Sequence, residues 1–437
     1  MDAASERRAG QGETMGEGQE DLVRLLPDDA LADALRRLPR RGLAVSRCVR
    51  RAWRDFIDAR RLMLPHLLPC AVGGIFININ FNGLDSSVFL ARPTATGPAV
   101  SGDFDYLPGP SKGSSLRDHC NGLLLLRDAV ANPATRRWAP LAPRPPPRMS
   151  GKYFYEDEYL VYDPAVSPHF EHVLNVFSSE TGQWEERLFL REGKAAGTIA
   201  EMRSACLLVQ KRYAAYWKGE IYVGCEADFV MRVSLANKTY QVIEPPVHIK
   251  VPMFQGLHLG RSEKGVYCAV ADFSLLWYEL RVWILEERPH NQMEWVLKHE
   301  AKLYSLRASQ QYNRQTKGPW IFQDINYYHR AERYNVDAAE QAKLEWDSDD
   351  DNVLQIGDTG SKLCGSMDLL GFHPYEEVIF FCESKERGFA YHLNSSKVQD
   401  LGNLYPRNYR RISGYHREIR GSVPYTPCWI EDFPINN

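Results

Sequence analysis

The densest run of potential metal ligands is "WDSDDDN", Trp346–Asn352. A calcium loop of the helix–loop–helix kind starting at Asp347 would need Gly at its sixth position, for the sharp turn, and a bidentate Glu at its twelfth. Asn352 and Asp358 stand there, and no helical pattern flanks the run clearly on both sides. It reads as a solvated acidic loop. "GRSEKG", Gly260–Gly265, misses the nucleophile-elbow spacing by one residue and lacks a strand-to-helix setting. HExxH, GxSxG and GxxxxGK[ST] patterns are absent. The 12 histidines are dispersed, and His119, ahead of an apolar run, reads as a hydrogen-bonded structural residue. The nine cysteines form no CxxC pair and have no His partner at zinc spacing, which fits reduced thiols, mostly in a core. These residues point to a binding protein with no catalytic residues, metal or cofactor, not to an enzyme.

What must be positioned, then, is a binding surface. The chain has 437 residues, 44% apolar, with a formal charge of -3. That length suggests more than one domain. No run of eighteen apolar residues suggests a membrane span. Residues 1–20 lack an apolar stretch of the signal-peptide kind and read as a disordered tail rich in Gly, Glu and Gln. The sequons at Asn237 and Asn394 read as ordinary turn residues. Together these features suggest a nuclear or cytoplasmic location and no membrane.

Residues 21–62 read as two or three short helices. Leu31, Leu35 and Leu38 share one helical face, with Asp28 and Asp29 suited to its N-terminus and Pro39 to its end. Gly42 can start the next helix. Val45, Cys48, Val49, Ala52, Trp53, Phe56 and Ile57 then form a continuous stripe at helical spacing. So small a unit has little core of its own, yet Leu22, Leu25, Leu26 and Leu43 add to its apolar residues. Part of this surface is expected to be buried against another protein, the alternative being the rest of this chain. Eleven arginines between Arg24 and Arg61 also raise a DNA-binding helix-turn-helix. Against that, Trp53 and Phe56 occupy the apolar face of the third helix and leave no polar set to read bases, so no nucleic-acid partner is expected.

Leu26-Pro27-Asp28-Asp29, Leu35, Leu38-Pro39, Leu43, Cys48-Val49 and Trp53 together resemble the F-box pattern. Gly42 and Ala34 depart from it, where the family has Ser and Ile or Val. The resemblance implies docking on a Skp-type adaptor, and through it a cullin, in a ubiquitin ligase. Leu26, Pro27, Leu31, Leu43, Val49 and Trp53 are the candidate adaptor-binding residues, with contact and internal core not yet separated.

After a linker at 63–71 the character becomes β. "GIFININF", "LLLLRDAV", "IYVG", "LRVWILEE" and "VIFFCES" are short apolar or alternating runs bounded by turn residues. A strand–turn–strand form with an aromatic after the turn recurs at Trp138, Trp184, Tyr240 and Trp295, at spacings of 46, 56 and 55, and again near Val398. A period near fifty suits four-stranded propeller blades. A generic antiparallel β domain is the alternative. Residues 72–435 are therefore expected to form a large all-β domain, a β-propeller of six or seven blades. "GIFININF" and "SVPYTPCWI" are the strands available to close it. The stretches His119–Pro143 and Val176–Trp184 resemble plant F-box-associated domains, similar to kelch-type propellers, and the combination is most similar to F-box families of grasses. That resemblance implies a subunit that binds a target protein through the β domain. The alternative is a stand-alone propeller that binds protein or sugar.

Overall fold

A computed structural model describes residues 27–38, 40–81, 84–93, 100–102, 104–108, 116–143, 158–165, 170–173, 176–178, 180–181, 183–185, 187–193, 213–225, 229–246, 257–272, 279–289, 292–303, 319–324, 353–354, 367–383, 386–404 and 417–430. The chain divides into two compact units, Met1–Leu67 and Leu68–Asn437. The division falls inside the stretch expected as a linker, because Leu64–Leu67 forms one further helical turn. The tail at 1–20 and the acidic run 346–352 lie outside the described residues.

The first unit holds α1 (Asp28–Arg36), α2 (Arg40–Val49), α3 (Arg51–Ala59) and the single turn α4 (Leu64–Leu67). Pro27, and not an aspartate, is the N-cap of α1. No side chain bonds there, and Asp28 and Asp29 sit in the first turn, where they complement the helix dipole. The stripe expected on one helix is broken. Arg50 is extended (φ -158°, ψ 156°) and starts a new helix. Buried Leu35, Leu43, Ile57 and Leu62 form the core, with Leu31, Leu38, Phe56 and Met63 packed against it. Bidentate contacts of Arg47 with Asp58, at 2.7 and 2.9 Å, tie α2 to α3.

The second unit is built almost wholly of antiparallel strands. β1 (Gly74–Phe81) and β2 (Leu84–Ala91) begin the first sheet. β3 (Asp118–Cys120), β4 (Leu123–Leu125), β5 (Ala129–Asn132) and β6 (Arg137–Pro140) make the second. β7 (Tyr159–Tyr162), β8 (Phe170–Val173), β9 (Val176–Ser178) and β10 (Gln183–Glu185) make the third. The fourth has β11 (Leu190–Glu192), β12 (Ala214–Trp217), β13 (Glu220–Cys225), β14 (Phe229–Ser234) and β15 (Thr239–Ile243), with β11 added in parallel beside β15. β16 (His258–Ser262), β17 (Gly265–Asp272), β18 (Glu279–Arg288) and β19 (Gln292–Lys302) form the fifth. β20 (Ile321–Asp324) then pairs back to β2. β21 (Val353–Leu354), β22 (Met367–Phe372), β23 (Val378–Glu383), β24 (Arg387–His392) and β25 (Val398–Asn403) form the sixth. Finally β26 (Arg417–Tyr425) pairs with β1, from Gly74 opposite Tyr425 to Phe81 opposite Arg417. The first sheet is thus made of both ends of the domain, which leaves no unpaired strand at the closure. "GIFININF" pairs as expected, while the strand opposite it shares Ser422–Tyr425 with "SVPYTPCWI" and begins earlier, at Arg417.

The apolar runs explain the arrangement. Along β23, Ile379 and Phe381 face one cluster while Phe380 and Cys382 face another. Along β17, Tyr267 and Ala269 face one side and Cys268 the other. Successive side chains point to opposite faces of a strand, so an unbroken apolar run means that both faces are covered. Six clusters lie between neighbouring sheets, in chain order from first to sixth and back to the first. A ring of sheets stacked face to face is a β-propeller arrangement.

The recurring aromatics take one place in it. Trp138, Trp184, Tyr240 and Trp295 lie on β6, β10, β15 and β19, the last strands of their antiparallel hairpins, and Val398 opens β25. Each aromatic packs toward the preceding sheet. The Trp184 indole donates to the Ala142 carbonyl at 3.2 Å, and that of Trp295 to the Glu244 carbonyl at 3.0 Å. Arg136, Lys238 and Ser396, at the ends of the corresponding turns, all have positive φ.

Candidate functional site

Each unit presents one candidate surface. On the helical unit, the structure sorts the expected adaptor-binding residues. Leu26 lies outside the described residues. Pro27 is exposed and Leu31 half-buried against the core. Leu43 has 0% exposure, which places it in the unit's core, one of the two roles left open for it. Val49 is 61% exposed. Trp53 is half-buried, with the Arg50 guanidinium 5.0 Å from its ring centroid. Val45, missed as a contact candidate, is 58% exposed one helical turn before Val49. The break at Arg50 is the cause: it turns Phe56 and Ile57 of α3 to the core and leaves Val45, Cys48 and Val49 facing solvent. Two β-branched residues side by side in water on a basic helix are an apolar surface that this unit's own core does not use.

On the β-propeller, the inner strands surround a cavity of about 160 Å³. Its walls come from β3, β12, β16, β22 and β26, with Asn78 of β1. One tight turn borders it: Asn121-Gly122 joins β3 to β4, with Asn121 on the lining. Lys218-Gly219 joins β12 to β13 in the same way, and all four residues have positive φ, as two-residue hairpins require. Gly122 is also constrained by packing, since a Cβ there would lie 2.4 Å from Cys428 Cβ.

The polar groups of the cavity are held by neighbours across the sheets. Asp118 accepts from the Leu160 amide at 2.7 Å, and burial raises its carboxyl to about 7. Arg117 meets the buried carboxylate of Glu158 at 3.3 Å. Asn121 donates to the Tyr162 carbonyl at 2.7 Å and accepts from Arg261 at 3.0 Å. Arg261 also lies 5.2 Å over the Tyr375 ring. Asn78 donates to the Leu116 carbonyl at 2.5 Å and accepts from Ser87 at 2.7 Å. His119 lines the cavity. Burial first, and then the charge of Arg261, lower it to about 4, so it is neutral near pH 7. Burial pushes the Cys120 thiol up to about 12, so it is a hydrogen-bonding core group and not a nucleophile. Among the described residues no group of His, Cys, Asp and Glu is arranged to hold a metal, and no helix is long and apolar enough to cross a membrane. His119 aside, sequence reasoning singled out none of the cavity's polar residues, because they come together only when strands far apart in the chain share one axis.

No protein-family model and no curated protein matches the chain. Among solved structures it is similar to "YCF48 bound to D1 peptide", at 8% identity and a TM-score of 0.29, over 76% of this chain and 82% of that one. It is similar to the β-propeller domain of Cps50 (Swd1) from Myceliophteria thermophila, at 11% identity and a TM-score of 0.29, over 76% of this chain and 96% of that one. It is also similar to a complex of KlAtg21 with the coiled coil of AgAtg16, at 9% identity and a TM-score of 0.27, over 82% of this chain and 100% of that one. The ring itself stands on the strand order and the six inter-sheet clusters.

Proposed function

We propose that this chain is a non-catalytic substrate-recognition subunit of a Skp–cullin–F-box ubiquitin ligase, acting in the nucleus or cytoplasm. The helical unit docks on a Skp-type adaptor. The propeller, read as six blades from its six sheets, holds a target protein through the loops between strands, since a rigid scaffold commonly carries recognition on its loops. The observation that carries the adaptor half is the exposed Val45–Val49 pair beside a core that is already complete without it. It gives the F-box resemblance of residues 26–53 a physical surface. Burying a valine side chain is worth about 1.5–3 kcal/mol, so two centrally placed valines can contribute a large part of a micromolar affinity.

Isothermal titration of the full chain with a purified Skp-type adaptor tests this. Binding should weaken at least ~100-fold in a Val45→Asp/Val49→Asp variant whose melting temperature is unchanged, since each buried valine is worth a factor of ten or more. No binding by the unaltered chain would contradict the ligase assignment and favour a stand-alone propeller module.

A further inference from the structure

We propose that the central cavity of the propeller is a binding site for a small organic acid carrying a single carboxylate. The site stands on the second unit alone and does not depend on the adaptor reading.

The cavity is larger than packing requires. Its 160 Å³ is about ten times the ~10–15 Å³ that one water molecule needs. It is also too small for a folded segment of another protein, which limits the occupant to a few heavy atoms beyond a carboxylate. Exposed Arg420 lies on the lining, so the cavity reaches solvent at that end.

Its charge selects a monoanion. Arg117 is already matched by Glu158. Arg261 is different: its described partners are the neutral Asn121 amide and the Tyr375 side chain, and none is a carboxylate. A guanidinium kept partly out of water with neutral partners favours an incoming oxyanion, and its flat fork suits a carboxylate. One guanidinium with neutral partners among the described residues suits one negative charge better than two. The rest of the wall, Leu259, Phe372 and Val423 among it, offers apolar surface for a hydrocarbon body. Inorganic phosphate would leave that wall unused.

The test uses the full chain with acetate, butyrate, benzoate and phenylacetate, with benzamide and inorganic phosphate as comparisons, read by isothermal titration. At least one carboxylate should bind saturably at one site per chain. Benzamide, which keeps the shape of benzoate and removes the charge, should bind at least tenfold more weakly than benzoate, or not at all. Arg261→Gln should weaken the best carboxylate at least tenfold. The benzoate–benzamide comparison needs no variant, so the proposal stays open to refutation if Arg261→Gln fails to fold. Failure of all four carboxylates to bind, equal binding of benzamide, tighter binding of phosphate, or undiminished binding to folded Arg261→Gln would each overturn it.

Discussion

Replacing Gly122 with alanine probes the closure of the ring with an internal control. Gly122 and Gly219 occupy the second place of equivalent two-residue turns, at φ +91° and +87°. Alanine at either pays the strain of a left-handed backbone, about 1–2 kcal/mol. Their surroundings differ. A Cβ at Gly219 meets nothing within 4 Å, whereas at Gly122 it lies 2.4 Å from Cys428 Cβ, 2.7 Å from Cys428 N and 2.8 Å from Thr426 O. Carbon atoms pack at about 3.5–4.0 Å, and two of those three atoms are backbone, so the closing segment itself must move. Overpacking of that kind costs about 1–3 kcal/mol. It would also strain the bond from Asn132 to the Cys428 carbonyl, 2.9 Å long. Gly122→Ala should therefore cost about 2–5 kcal/mol and Gly219→Ala about 1–2 kcal/mol. Urea unfolding followed by tryptophan fluorescence reads the difference as a lower midpoint at constant slope. Equal midpoints for the two variants would show that residues 426–428 do not press on the β3–β4 turn, and would refute the closure described above.

Tyr425 is fully buried, meets Phe76 edge-on at 5.4 Å between centroids and accepts from the Ala134 amide at 3.2 Å; Tyr425→Ala should destabilise the propeller by about 3–5 kcal/mol in the same assay. Removing residues 422–437 takes away half of the β1–β26 pairing and should unfold the whole domain, seen as loss of its cooperative melting transition and not as a trimmed tail. His373 is lowered to about 3 by burial first and then by the charges of Arg92 and His392, and burial outweighs Glu376 at 3.7 Å. With its folded value below the unfolded one, it contributes stability above pH 6.5 that is lost as pH falls toward 3, about 2 kcal/mol between pH 6.5 and 5. His373→Asn should flatten the pH dependence of the urea midpoint by that amount relative to the unaltered chain, whereas parallel curves would remove the histidine from the account. Leu43→Ala should destabilise the helical unit by about 2–5 kcal/mol, while Val45→Asp should leave its stability almost unchanged, as limited proteolysis of the unit would report.

Much of the propeller could be read locally. Trp138, Trp184, Tyr240 and Trp295 announce themselves because each follows its own tight turn and each has the same task, packing a last strand against the preceding sheet. The closing pair was visible because β1 is an apolar strand and the second half of β26 opens the apolar run at the other end of the domain. The helical unit was harder. Val45 to Ile57 keep helical spacing across the break, since spacing records side-chain type and not the extended backbone of Arg50. Leu43 and Val49 consequently looked alike in sequence and differ completely in exposure. The cavity could not be read as a site. Asn78, Asp118, Tyr213, Arg261 and Ser422 span most of the domain, and only the ring brings them to one axis. β11, β20 and β21 were also unreadable, because short edge strands carry little pattern of their own.

The central claim is a division of labour, with the helical unit engaging the ligase and the propeller choosing the target. Affinity capture of the tagged full chain from cells, with quantitative mass spectrometry, measures it directly when the unaltered chain is compared with Val45→Asp/Val49→Asp. The account predicts a Skp-type adaptor and a cullin among the partners of the unaltered chain. In the variant both should be lost, with the remaining partners retained. Absence of adaptor and cullin from the unaltered chain, or their undiminished capture by the variant, would contradict it.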